Sequence, residues 1–142
     1  MLFVDTSSLF KFYYPEPGSE AVEARMVAAD RVAIAELTRL EFVSVAARKT
    51  RVGELSKKEY TRLVSAFDED CLTHAYTLVP LTSEVVEEAR SLMDRLGLEQ
   101  SLRTLDSLQL ASAMKAGAEL FLCHDDKLAV IAEQIGMSIV KP

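Results

Sequence analysis

The chain is poor in cysteine: only Cys71 and Cys123 occur, far apart and outside any CxxC or His-spaced pattern. A disulfide framework and a structural zinc site are therefore excluded as organising principles, which leaves two reduced, packed thiols. Long apolar runs are missing as well. No stretch approaches the ~20 consecutive apolar residues of a membrane-spanning helix, and no basic leader precedes the opening Met1-Leu2-Phe3-Val4-Asp5. No membrane association and a cytoplasmic location are the expectations. A surplus of positive charge is also lacking, with 16 Lys and Arg against 22 Asp and Glu and a formal net charge of −6. That balance argues against a general nucleic-acid coat, which needs Lys and Arg for phosphate. It does not exclude an enzyme acting on a polyanion, because a divalent cation held by carboxylates brings positive charge to the point of chemistry.

What is present fits one domain over residues 1–142, with 49% apolar residues to build a core. No repeat, linker or low-complexity tract interrupts it. Short β-rich runs alternate with longer segments of helical period, a pattern that predicts an α/β fold with a central parallel sheet of about five strands and helices on both faces. The expected strands are Leu2 to Val4, Val32 to Ile34, Tyr76 to Val79, Leu120 to Leu122 and Ser138 to Val140. Pro15-Glu16-Pro17-Gly18 breaks a first helix and allows a second through Ala28. Ser56-Lys57-Lys58-Glu59 has the spacing of a capping box and opens a helix to about His74. Further helices are expected over Thr38 to Thr50, Ser83 to Leu96, Thr104 to Ala116 and Lys127 to Ile135, with Gly97, Gly117 and Gly136 as C-terminal stops.

In an open parallel sheet, ligands bind beyond the carboxyl ends of the strands, so acids at those ends carry the most information. Asp5 follows the first strand and precedes Thr6-Ser7-Ser8. It suits either a site carboxylate or the cap of the next helix. Glu41 sits within a helix and has no basic neighbour three or four residues away, so the usual local ion pair is not available to it. A looser surface pairing with Arg48 stays open. Asp106 opens a helix with Leu110 and Ala113 on its own face, which points it toward the protein interior; the alternative is favourable placement at a helix start, aided by Arg103. Asp125 and Asp126 follow the fourth strand and precede a helix, where one of them is able to serve as a cap. His124 beside them reads as a hydrogen-bonding loop residue rather than a base.

Carboxylates crowded into one crevice repel, and their pKa values rise unless cations neutralise them. Oxygen-only ligands select a hard ion, Mg2+ or Mn2+, held with waters that a substrate phosphate displaces. The chemistry this supports is metal-assisted hydrolysis of a phosphodiester, for which no Ser/His/Asp arrangement is needed.

The order of these residues resembles the PIN-domain nucleases over nearly the whole chain, in particular the VapC-like toxins of bacterial and archaeal toxin–antitoxin pairs. Val4-Asp5-Thr6-Ser7 is similar to the family's opening hydrophobic-Asp-x-Ser, and Thr38-Arg39-Leu40-Glu41 to its T-x-x-E helix. Leu105-Asp106-Ser107-Leu108-Gln109-Leu110-Ala111-Ser112-Ala113 matches its most specific motif, L-D-[AS]-[IL]-x-L-A-[ST]-A. Cys123-His124-Asp125-Asp126-Lys127-Leu128 follows the T-x-D-x-x-[LF] pattern, with Cys123 where the family has Thr. The resemblance implies a PIN-like three-layer fold and a metal site of Asp5, Glu41, Asp106 and Asp125, supported by Ser7 and by Asp126. It further implies an endoribonuclease using Mg2+ or Mn2+ to cut single-stranded or structured RNA such as tRNA or rRNA, a VapB-like antitoxin partner, and a homodimer. From the residues themselves, Arg48, Lys49 and Arg51 with Lys57 and Lys58 form one basic cluster, suited to RNA backbone or to a helix C-terminus.

Two other Mg2+-dependent classes fail on their motifs. A haloacid-dehalogenase-type phosphatase needs a second Asp where this chain has Ser7, and a receiver domain needs an Asp where it has Val79-Pro80-Leu81-Thr82. A catalytically silent PIN-like module that binds RNA or a partner remains as the alternative.

Overall fold

In the computed structural model, which describes residues 1–141, five short strands form one parallel sheet in the order β3-β2-β1-β4-β5. These are β1 (Leu2–Val4), β2 (Val32–Ala35), β3 (Thr77–Val79), β4 (Leu120–Leu122) and β5 (Ser138–Val140). Helices α1 (Thr6–Tyr13) and α2 (Ser19–Ala28) connect β1 to β2, and α3 (Leu37–Arg51) and α4 (Lys57–Leu72) connect β2 to β3. Helices α5 (Ser83–Leu96) and α6 (Thr104–Lys115) lead from β3 back across the sheet to β4, and α7 (Asp126–Gln134) leads on to β5. This is the three-layer α/β arrangement expected from the sequence.

The side-chain period of a strand explains the layering. On β1, Leu2 and Val4 face one core with Leu9, Phe10, Phe42 and Phe67, while Phe3 faces the other with Leu92, Leu110, Phe121 and Ile131. Helices α1 to α4 therefore cover one side of the sheet and α5 to α7 the other. Every residue of β1 is buried, as a central strand covered on both faces requires. Phe42 and Phe67 stack with ring centroids 4.3 Å apart, which locks α3 to α4.

The chain runs outward from β1 through β2 to β3, then reverses to place β4 on the other side of β1. The reversal leaves a crevice between the carboxyl ends of β1 and β4, the point at which such sheets bind ligands. Asp5 is drawn to this point because its backbone N–H donates to Leu122 O at 3.2 Å, one step beyond the paired residues.

The capping box at α4 is complete: Ser56 Oγ accepts from Glu59 N–H, and the Glu59 carboxylate accepts from Ser56 N–H at 2.7 Å. Ser56→Ala is expected to cost about 1 kcal/mol, readable as a lower urea midpoint with an unchanged slope. Gly117 and Gly136 end their helices with φ of +64° and +89°, the left-handed turn that favours glycine. Gly97 also closes its helix but stays right-handed. Its missing side chain matters because a Cβ there would come within 2.6 Å of Met93 O. No helix among the described residues is long and apolar enough to cross a membrane.

Candidate active site

Four elements deliver the acids. Asp5 caps α1 from the end of β1, Glu41 comes from the second turn of α3, Asp106 from the first turn of α6, and Asp125 caps α7 just after β4. All four line one cavity of about 250 Å³, together with Thr6, Ser7, Arg103 and Gln109. For Asp5 and Asp125, capping a helix and lining the cavity go together. Asp5 Oδ1 accepts from Ser8 N–H at 3.0 Å, and Ser7 Oγ donates to Oδ2 at 2.7 Å. Asp125 Oδ1 accepts from the N–H groups of Lys127 and Leu128 at 2.9 and 3.1 Å, which leaves Oδ2 for the cavity.

Asp5 is buried, and burial raises its carboxyl above the ordinary range against the opposing hydrogen bonds from Ser7 and Ser8. Glu41 is raised too, first by burial and further by the charges of Asp5 and Asp106, while hydrogen bonds from Gln109 and Thr6 pull the other way. Among the described residues Arg103 is the one cation on the cavity wall. Its Nε donates to Asp106 Oδ2 at 2.8 Å and its guanidinium reaches Asp125 Oδ2 at 3.3 Å. A positive group thus already bridges two of the acids.

Among the described residues, no three His, Cys, Asp or Glu side chains are gathered closely enough to form a finished metal shell. The hydrogen bonds explain why: Asp5 and Asp125 are turned into their caps, and Arg103 holds Asp106 and Asp125. The donors nonetheless fit a hard divalent ion. They are all oxygens, they carry more negative charge than Arg103 offsets, and a guanidinium already occupies a cation's place.

A profile of the PIN domain matches residues 2–134. The chain belongs to the PIN-domain family. This PIN domain is 27% identical to Ribonuclease VapC46 of Mycobacterium tuberculosis, over 99% of this chain and 97% of the relative. Its fold is similar to that of the solved VapC20 of the same organism, described as a Sarcin-Ricin loop cleaving toxin (TM-score 0.76, 16% identity, all of both chains). It is also similar to a chain of VapBC2 from Rickettsia felis bound to a promoter DNA fragment (TM-score 0.71, 12% identity, 100% and 99% of the chains).

The other positions singled out in the sequence fall as follows. Asp126 lies outside the four-acid cavity, 89% exposed and 3.4 Å from Lys141 Nζ, and borders an adjoining cavity of about 410 Å³ with Arg103 and Lys127. His124 Nδ1 lies 3.0 Å from Ser8 Oγ, as a loop-bridging residue would. Cys123, which stands where the family pattern has Thr, donates its Sγ–H to Asp125 O at 3.5 Å. Within the basic cluster Lys49 is not free for RNA. It is paired with Glu54 at 2.7 Å and Glu16 at 3.5 Å and lies over the Tyr14 ring. Sequence reasoning missed Gln109, Thr6 and Thr38, buried polar side chains around Glu41. Gln109 stands three residues after Asp106, hence on the same helix face, and that spacing was the available signal.

Proposed function

We propose that this PIN domain is a Mg2+- or Mn2+-dependent endoribonuclease and the toxin half of a VapBC-type toxin–antitoxin pair. The observation that carries the proposal is the convergence of Asp5, Glu41, Asp106 and Asp125 on one cavity at the reversal of the sheet. The ribonuclease name of the M. tuberculosis relative supports RNA as substrate, and the likeness to a chain of the VapBC2 complex supports an antitoxin partner. A homodimer is carried over from the family resemblance.

Asp5, Glu41, Asp106 and Asp125 would hold the cation. When bound, the ion supplies an acidified water and charge stabilisation for a phosphodiester under in-line attack. The protein's part is orientation. Ser7 fixes the Asp5 carboxylate, and the caps of α1 and α7 fix the backbone beneath Asp5 and Asp125. With a cation held by these acids, Arg103 would be released from Asp106 and Asp125, and its guanidinium would be free to meet a substrate phosphate. Asp126, at the adjoining cavity, would add negative charge beside Asp125.

Purified protein is expected to cut single-stranded RNA slowly with Mg2+ or Mn2+ and to stop in EDTA. Cleavage that persists in EDTA, or in Asp106→Ala, would sink the assignment. Arg103 is largely exposed, so its hold on the acids is worth at most about 1 kcal/mol. Arg103→Gln should accordingly tighten Mn2+ binding by up to roughly 5-fold while raising KM for RNA; unchanged Mn2+ affinity would show that the guanidinium does not compete. The Arg103 bridge also favours a second possibility, a silent module whose acids are permanently neutralised from within. Such a protein would bind no Mn2+ at this cavity as wild type and would gain binding only as Arg103→Gln.

A further inference from the structure

Glu41 reaches the cavity from the second turn of α3, and one of its oxygens is held by two donors. Thr6 Oγ1 donates to Glu41 Oε1 at 2.9 Å, and Gln109 Nε2 donates to the same oxygen at 2.5 Å. The Gln109 amide also lies 3.0 Å from Thr6 Oγ1 and 3.1 Å from Thr38 Oγ1. Thr6, Thr38 and Gln109 are all buried, and they come from α1, α3 and α6. Among the described residues, the hydrogen bonds to Glu41 all fall on Oε1, which leaves Oε2 to the cavity.

Gln109 occupies this place against the needs of packing. Among the described residues its Oε1 is buried with no hydrogen-bond partner, although nearly all buried polar atoms find one. Turning the amide over would not cure this, because Oε1 would then face the carboxylate of Glu41, acceptor against acceptor. A leucine or methionine would fill the same position on buried α6 without an orphaned oxygen. The residue's one evident gain is the N–H it aims at Glu41.

We propose that Gln109 is a positioning residue for the nuclease, which pins Oε1 of Glu41 so that Oε2 is presented to the divalent cation. The proposal rests on the metal-dependent function put forward above. Groups that orient a metal ligand by hydrogen bonding commonly contribute about 10- to 100-fold to metal affinity. Gln109 would act only through Glu41, and that restriction makes it testable.

The experiment is a double-mutant cycle read by calorimetric titration with Mn2+, using wild type, Gln109→Met, Glu41→Gln and the double variant. Gln109→Met keeps length and volume but has no donor. The expected result is Mn2+ binding weakened about 10-fold in Gln109→Met, with no further weakening when it is added to Glu41→Gln. Cleavage of a labelled single-stranded RNA by Gln109→Met should recover at saturating Mn2+, with KM for RNA unchanged. Should Gln109→Met fail to fold, Gln109→Asn keeps an amide but withdraws it by one methylene, and the same weakening is expected. An effect of equal size in the presence and absence of Glu41, or no effect, overturns the proposal alone. Failure of wild type to bind Mn2+ overturns both it and the metal-dependent function.

Discussion

Asp5→Asn is expected to lower RNA cleavage by about 10³-fold while making the metal-free protein more stable than wild type. The first effect follows from losing a charged metal ligand, taken as roughly 4 kcal/mol of transition-state stabilisation. The second follows from burial. Asp5 is buried, and the hydrogen bonds from Ser7 and Ser8 do not offset its desolvation, so its carboxyl is raised. Asparagine keeps the oxygen that caps α1 and discards the charge. A gain of about 1 kcal/mol is of the size seen when a functional group is traded for stability.

The pH dependence follows with a definite sign. Asp5 and Glu41 both hold their protons more tightly in the folded chain than their ordinary values of 3.8 and 4.5. Above those values the folded state carries more protons than the unfolded one, so stability falls as pH rises through the folded pKa values. Their contribution is fully present only below the ordinary values. Urea titrations in EDTA at about pH 5 and about pH 7 should show a smaller difference for Asp5→Asn than for wild type. A variant that is less stable than wild type at both, and still cuts RNA, would make Asp5 a structural cap and nothing more.

Saturating Mn2+ should raise the melting temperature of wild type by roughly 8 °C. At about 100 times its dissociation constant a ligand specific to the folded state adds about 2.7 kcal/mol, and a chain of this size gains about 3 °C for each kcal/mol. Bound cation would also relieve the repulsion that Asp5 and Asp106 exert on Glu41. Asp106→Asn should show little of the shift. An equal rise in that variant would place the ion elsewhere on the surface.

Much of the architecture was legible because it depends on local patterns. The strand and helix spans follow from period and caps, and Ser56 with Glu59 announced the start of α4 in four residues. Gly97 was legible as a stop but not in its manner, since the steric reason lies in Met93, one turn away. Asp5, Asp106 and Asp125 were visible as strand-end and helix-start residues, and Glu41 as a helical acid with no local ion-pair partner. Their common cavity depends on the reversal between β1 and β4, which no local pattern encodes. Lys49 looked like part of a basic surface because its partners, Glu16 and Glu54, are brought to it by the α1–α2 and α3–α4 turns. Gln109 was hidden for a similar reason. Within α6 it stands among small and apolar residues, and only tertiary packing reveals that Glu41, 68 positions away, is its partner.

The most direct measurement is an anomalous difference map from crystals grown with Mn2+. A peak is expected inside the cavity, bounded by carboxylate oxygens of Asp5, Glu41, Asp106 and Asp125, with the Arg103 guanidinium withdrawn from Asp106 and Asp125. A map at saturating Mn2+ with no peak there, and Arg103 still bridging the two aspartates, would contradict the account.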